Sequence, residues 1–146
     1  MGDVWNSVTV YGPALEIDRF KRLCIAPSET VFRSGQSGWE GCACTISVPS
    51  ARTKDPSRSP SYYSDEVWNF QQFTRTSEVE YSFSFDTDGE FPVILFECLA
   101  ASLPKLSFDC RCIASLDEFM GFGWFNGPPG SQDFRQDYEV PEDYWG

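Results

Sequence analysis

Glu78-Val-Glu-Tyr-Ser-Phe-Ser-Phe85 alternates without a break, with Val79, Tyr81, Phe83 and Phe85 on one side and Glu78, Glu80, Ser82 and Ser84 on the other. Side chains of an extended chain point to opposite faces in turn, so the pattern predicts a strand with one face in a core and one toward water. The residues that follow decide the fold class. Asp86-Thr-Asp-Gly89 reads as a turn, and Pro92 suits the first turn of a helix running to about Ser102. Glu97 is the only charged member of that helix, so it is expected to be largely buried. Leu106-Ser-Phe-Asp-Cys-Arg-Cys112 alternates again, with Leu106, Phe108, Cys110 and Cys112 inward. Phe119-Met-Gly-Phe-Gly-Trp-Phe125 reads as one more strand, its glycines permitting a twist, a bulge or close packing.

Upstream, Ser7-Val-Thr-Val-Tyr11 predicts a short strand stopped by Gly12-Pro13. From Ala14 to Ile25, Ile17, Phe20 and Cys24 recur at helical spacing with Leu23 beside them, while Glu16, Arg19 and Lys21 face water. Ala26-Pro27-Ser28 is expected to end this helix. A short extended piece at Thr30 to Phe32 and a Gly- and Ser-rich loop from Arg33 to Gly41 follow. Cys42-Ala-Cys-Thr-Ile-Ser-Val48 alternates as a second strand, and residues 49–61, rich in Pro, Ser and basic side chains, predict an exposed loop. Ser64 reads as the N-cap of a helix through Val67, Trp68, Phe70 and Gln71 to about Phe73.

Strand, helix, strand, then strand, helix, strand is the order of the ferredoxin-like βαββαβ sandwich. The expected fold is α+β: that sandwich with an inserted helix, an extra C-terminal strand and an acidic tail. One domain is expected over residues 1–130, followed by an acidic aromatic tail over 131–146.

The opening Val8-Thr-Val-Tyr-Gly-Pro13 with Ile17 and Phe20 resembles the start of the YubB-like ferredoxin-like proteins of plasmids, phages and bacterial genomic islands. The second half is similar at Trp68, Tyr81-Ser-Phe-Ser-Phe85, Pro92-Val-Ile94, Leu106-Ser-Phe108 and Met120-Gly-Phe-Gly123. The match covers about half the chain, mainly residues 66–125. It lacks the family's Trp-Gly-Thr-Lys-type turn after Trp68, and Asp86-Thr-Asp-Gly89 replaces a Trp-Ser-Pro-Pro-type turn. The resemblance implies a fold and a mobile-element setting; it carries no activity with it.

The formal net charge of the 146 residues is -11, and it is unevenly spread. From Asp86 to Gly146 there are 12 acidic side chains against Lys105, Arg111 and Arg135, leaving -2 for residues 1–85. With 41% apolar residues and 13 Phe, the chain is too hydrophobic for the disordered class and long enough for one core. No apolar run approaches the roughly 20 residues of a membrane span. The start of the chain lacks the basic and apolar regions of a signal peptide, so a cytoplasmic protein is expected. Direct binding to DNA or RNA is not expected, because phosphate neutralisation needs clustered Lys and Arg. The best such cluster, Arg19, Lys21 and Arg22, fits the solvated face of a helix.

The absence of histidine removes the commonest general base and every Ser-His or Cys-His pair. Cys42-x-Cys44 and Cys110-x-Cys112 offer four thiols, the number of a structural zinc. In the ferredoxin-like strand order, however, the two pairs fall on opposite edges, so reduced, core-packed thiols are expected. Asp86, Asp88 and Glu90 are oxygen-rich but lack the spacing of a calcium loop, and negative charge is favourable at a helix N-terminus. Gly121-x-Gly123 is too short for a phosphate loop. Trp124-Phe125 and Tyr144-Trp145 have aromatic faces for stacking on bases, but no basic groove accompanies them.

These readings converge on a non-enzymatic binding protein of a mobile element, needing no cofactor or metal. It would occupy the basic surface of a host protein or nucleoprotein complex as a nucleic-acid mimic, an anti-CRISPR or anti-restriction inhibitor of phage type. The candidate partner-binding residues are Asp133, Asp137, Glu139, Glu142 and Asp143, with Tyr138, Tyr144 and Trp145 as anchors. Asp86, Asp88, Asp117 and Glu118 form a second patch. The alternatives are a structural or regulatory module that forms a homodimer through a strand edge, and a carboxylate-dependent metal phosphoesterase.

Overall fold

The computed structural model describes residues 3–27, 44–49, 64–73, 79–114 and 119–138. These form strands β1 (Asp3–Tyr11), β2 (Ile25–Pro27), β3 (Cys44–Ser47), β4 (Ser64–Phe73), β5 (Glu80–Asp88), β6 (Ser107–Ala114), β7 (Met120–Phe125) and β8 (Arg135–Tyr138). Two helices join them, α1 (Ala14–Cys24) and α2 (Val93–Ser102). The architecture is α+β: an eight-stranded sheet of order β2-β3-β4-β5-β1-β6-β7-β8, with every ladder antiparallel.

β1 is the central strand, paired along its length with β5 from Asp3↔Asp88 to Tyr11↔Glu80, and with β6 from Val4↔Ala114 to Tyr11↔Ser107. Its alternation sends Val4, Asn6, Val8 and Val10 into the core and Asp3, Trp5, Ser7 and Tyr11 outward. Pro13 ends this run and starts α1, its carbonyl accepting from the N–H groups of Glu16 and Ile17 at 3.0 Å. The helix buries Ile17, Phe20 and Cys24, one face of a 3.6-residue repeat. Glu16 in its first turn and Lys21 and Arg22 in its last complement the helix dipole. α2 buries Leu95, Phe96, Leu99 and Ala100 on the same side of the sheet.

The core is aromatic. Phe20 of α1 lies 5.7 Å from Phe108 and 6.1 Å from Phe83, while Phe96 of α2 lies 5.9 Å from Phe108 and 5.0 Å from Phe91. Each fully buried Phe is worth about 1.5–3 kcal/mol over its exposed state. The sheet curls at its far side: Phe134 reaches Phe91 at 4.5 Å, and the Gln136 side-chain oxygen accepts from the Phe91 N–H at 3.1 Å. At the end of β5, buried Asn6 donates to Thr87 Oγ1 at 3.0 Å, and Thr87 donates to the Glu90 carbonyl at 2.7 Å. That chain of bonds pins the entry to α2.

The inserted helix expected over 64–73 is a strand. Val67 and Phe70 are both buried and three residues apart, which imitates a helical face. Asn69, at φ 52°, is the cause. On β4 three steps separate Trp68 from Gln71, whereas their partners Asp86 and Ser84 on β5 are two apart, so Asn69 is the extra residue of a β-bulge. Ser64 therefore opens a strand opposite Ser47 instead of capping a helix. The turn expected at Asp86-Thr-Asp-Gly89 is corrected too, since β5 continues through Asp88. Ile25, expected as the last residue of α1, and Ala26 and Pro27, expected to end it, form β2 against β3. Within the stretch read as a tail, Arg135–Tyr138 forms edge strand β8. The expected elements at Thr30 to Phe32, the 33–41 loop, Cys42 and residues 50–61 lie outside the described residues.

β7 carries glycine where β8 crosses closest. A Cβ on Gly123, whose φ is +138°, would stand 2.5 Å from Phe134 Cα and 2.6 Å from the Asp133 carbonyl carbon. Neither backbone atom can yield without moving the strand. Gly123→Ala is expected to cost about 2 kcal/mol or more, read as a lower Tm with loss of β8 amide protection in hydrogen exchange.

The cysteines fill core positions. Burial pushes the Cys24 and Cys112 thiols up to about 12 and Cys110 well above its ordinary value. The folded chain holds these protons more tightly than the unfolded one, so their contribution is intact below about pH 9 and is lost as pH rises toward about 12. Iodoacetamide at pH 8 is accordingly expected to modify Cys24, Cys110 and Cys112 only at the rate of unfolding, followed by mass spectrometry, and the Tm should fall steadily above pH 9.

Candidate functional site

Both helices bury their apolar faces on one side of the sheet, and the outward side chains of β1, β4, β5, β6 and β7 make up the other. Register arranges these in rows across the strands. Trp68 stands opposite Asp86, Asp86 opposite Trp5, Trp5 opposite Ile113, and Ile113 opposite Met120. The next row is Gln71, Ser84, Ser7, Arg111 and Phe122, and the third Phe73, Ser82, Thr9, Asp109 and Trp124. Tyr11 extends the face, its ring 5.7 Å from Trp124.

The rings on this face keep part of their surface exposed. Trp5, Tyr11, Trp68, Phe73 and Phe122 are each 37–48% exposed, whereas the inward aromatics of β5, Tyr81, Phe83 and Phe85, are at most 1% exposed. Five large apolar side chains this exposed on one sheet face make it the candidate interaction surface among the described residues, where scattered ones would not. Two hollows lie there. A cleft of about 670 Å³ runs over β1, β6 and β7, lined by Trp5, Ser7, Asp109, Arg111, Phe122 and Trp124 among others. A second, of about 460 Å³, lies over β4, β5 and β1, lined by Trp5, Asn69, Gln71, Ser84 and Asp86. Trp5 is the ridge between them.

Each hollow holds a carboxylate. Burial raises the Asp86 carboxyl above its ordinary value against the opposing hydrogen bond from Asn69 Nδ2, 2.6 Å from Asp86 Oδ2, while Asp3 adds to the rise. Burial raises Asp109 likewise, with Arg111 pulling it back. The Tyr11 hydroxyl is raised by burial and then by Glu80 and Asp109. Among the described residues the ion pair present is Arg19–Glu16 on α1, so neither Asp86 nor Asp109 has a cation within 4 Å. Half-buried carboxylates flanked by aromatic faces suit one chemistry above others, the binding of a cationic group.

The sequence-derived candidates fall into three sets. Asp86 lies in the middle of this face, and Asp88 is exposed at the end of β5 opposite Asp3. Asp133 is exposed in the connection from β7 to β8, bridged through its backbone to Trp124, and Asp137 and Tyr138 belong to β8. Asp117, Glu118, Glu139, Glu142, Asp143, Tyr144 and Trp145 lie outside the described residues. Topology brings the strand ends of the two patches together. Asp3↔Asp88, Val4↔Ala114, Ile113↔Met120 and Met120↔Tyr138 are successive pairs at one end of the sheet.

Trp5, Asp109, Arg111 and Phe122 are site residues that reasoning from inward positions overlooks. Their signal is the polar half of each alternation: Asp109 and Arg111 are the outward partners of Phe108, Cys110 and Cys112. Among the described residues no three His, Cys, Asp or Glu side chains are grouped to hold a metal. Cys44 on β3 is separated from Cys110 and Cys112 on β6 by three strands, about 19 Å at the usual spacing.

Because burial raises the Asp109 carboxyl, its charged form is disfavoured in the folded chain, and stability falls as pH rises through its titration. Asp109→Asn is expected to raise the Tm at pH 7, with the gain shrinking toward pH 3 as the native carboxyl gains its proton. Thermal melts of the two proteins across that range check it. Comparison of the chain with family models, curated proteins and solved structures returned no match.

Proposed function

We propose that this chain is a binding protein whose uncovered sheet face docks on a basic protein surface. The observation that carries this reading is the pair of half-buried carboxylates, Asp86 and Asp109, set among partly exposed aromatic rings, with no cation within 4 Å of either among the described residues. The described acids of this face and its rim include Asp3, Glu66, Glu80, Asp86, Asp88 and Asp109, against Arg111 and Arg135. Carboxylates steer a basic partner from a distance, and rings exclude water once it has docked. The same balance repels a phosphate backbone, so the partner is a protein surface and not nucleic acid.

The narrower reading is an inhibitor. An acidic face that fits a nucleic-acid-binding surface competes with nucleic acid for it, and the resemblance to mobile-element proteins points to a host defence complex of CRISPR or restriction type in the bacterial cytoplasm. The fold reading narrows in the same way. Strands β4-β5-β1-β6 with α1 and α2 form a βαββαβ unit in which β1-α1-β4 and β5-α2-β6 interleave, which supports a ferredoxin-like core extended by β2 and β3 on one side and β7 and β8 on the other. Asp133, bridged through its backbone to Trp124, would extend the docking surface beyond β7.

The immobilised full chain, exposed to lysate of a bacterial host at low salt, is expected to retain a basic nucleic-acid-binding protein and to release bound nucleic acid from it. Retention should fall roughly ten-fold between low and high salt, because exposed charges are screened over about 10 Å at 0.1 M. The double variant Asp86→Asn, Asp109→Asn should lose most of it. Retention indifferent to salt and to both substitutions would sink the reading.

A further inference from the structure

We infer that the cleft over β1, β6 and β7 is a site for a free α-amino acid with a large apolar side chain, a site that does not depend on protein docking. Register orders its floor. Ser84 stands opposite Ser7 and Ser7 opposite Arg111, a row of donors across β5, β1 and β6. Asp109, Arg111 and Ile113 follow one another along the outer side of β6. A carboxylate, a cation and an apolar surface therefore succeed each other at steps of about 6.8 Å. Met120 is paired with Ile113, which is only 6% exposed although it belongs to the outer face. All six residues line the 670 Å³ cleft. Its size is within the roughly 300–1,000 Å³ of small-molecule pockets, and apolar walls with a few convergent polar groups are their usual make-up.

The charges in this cleft select the ligand. Asp109 and Arg111 sense each other, since Arg111 opposes the rise of the Asp109 carboxyl, yet they form no ion pair within 4 Å. Among the described residues no hydrogen bond engages the side chains of Asp109, Arg111, Ser7 or Ser84. In the next row, by contrast, Thr9 and Ser82 bond to each other at 3.0 Å. Opposite charges held apart accept a ligand that brings one group of each sign. A cation alone would meet Arg111 and an anion alone Asp109; a zwitterion satisfies both. Side chains two residues apart on a strand stand side by side. The ligand's own charges must then lie within a bond or two of each other, as the ammonium and carboxylate of an α-amino acid do. Arg111 takes the carboxylate, Ser7 on the neighbouring strand donates to its second oxygen, and Asp109 accepts from the ammonium. The ligand side chain turns toward Ile113 and Met120, the apolar end of the series.

The probe is L-phenylalanine, titrated against the full chain and read by calorimetry and by the methyl resonance of Met120, one of only two methionines in the sequence. 3-Phenylpropanoate lacks its ammonium, phenethylamine its carboxylate and glycine its apolar side chain. L-Phenylalanine is expected to bind and to move the Met120 methyl, and the three comparison compounds to bind about ten-fold or more weakly, the worth of one charge-assisted hydrogen bond for the first two. Two variants should separate the charges. Arg111→Gln is expected to weaken L-phenylalanine and 3-phenylpropanoate about ten-fold but not phenethylamine, and Asp109→Asn to weaken L-phenylalanine and phenethylamine but not 3-phenylpropanoate. Asp18→Asn and Arg22→Gln, exposed on α1, make the same charge changes away from the sheet and should alter nothing. Circular dichroism shows that each variant is folded, and the compound series on the native chain needs no variant. A Met120 methyl unmoved by L-phenylalanine, L-methionine and L-leucine up to their solubility overturns the site. So does native binding of phenethylamine or 3-phenylpropanoate as tight as that of L-phenylalanine, or equal weakening of all three by either variant. Salt-dependent retention of a basic protein is a separate measurement, so the docking reading stands or falls apart from these outcomes.

Discussion

The ring of Phe83 holds the molecule to its plan. It is fully buried and lies 5.3–6.1 Å from the rings of Phe20, Phe70, Tyr81 and Phe85. One side chain thereby joins α1, β4 and β5, and each such pair adds about 0.5–1.5 kcal/mol beyond burial itself. With Phe83 anchored inward, the strand has no freedom at its other positions: Ser82, Ser84 and Asp86 must stand on the outer face. The geometry of the outer face is a by-product of how tightly the inner face is packed.

That dependence explains what was legible from sequence. Tyr81-Ser-Phe-Ser-Phe85 announced both its strand and its inward set, and Ile17, Phe20 and Cys24 announced α1, because burial writes a periodic apolar signal. β4 was misread because Asn69 interrupts the period, leaving Val67 and Phe70 at a helical interval. β8 carries little apolar signal; its place depends on close backbone approach at Gly121 and Gly123 and on Phe134 beneath it. Asp86 was singled out from sequence but as part of a solvated turn, whereas pairing with Trp5 and Trp68 requires knowledge of which strands are neighbours. Asp109 and Arg111 sit at outward positions, which carry no hydrophobic mark.

The charge asymmetry of the chain also takes a spatial form. The surplus in the last 61 residues, read along the sequence, suggested a tail. In the fold, Asp3 from the opposite end of the chain joins Asp88 in register, and β8 ends at the same border of the sheet. Acidic side chains from both ends of the chain therefore meet at one border of the outer face, with Arg111 and Arg135 as the cations farther along it.

The bulge at Asn69 gives β4 two reading frames. Before it, even-numbered residues such as Trp68 face outward; after it, odd-numbered residues such as Gln71 and Phe73 do, each confirmed by its partner on β5. A single-residue deletion on either side of Asn69 therefore exchanges inside for outside over part of the strand, whereas deletion of Asn69 itself closes the bulge and leaves both halves in frame. Trp68 and Phe73 are an odd number of residues apart and share a surface because the bulge absorbs one of them, so the strand tolerates a change of length at the bulge and nowhere else.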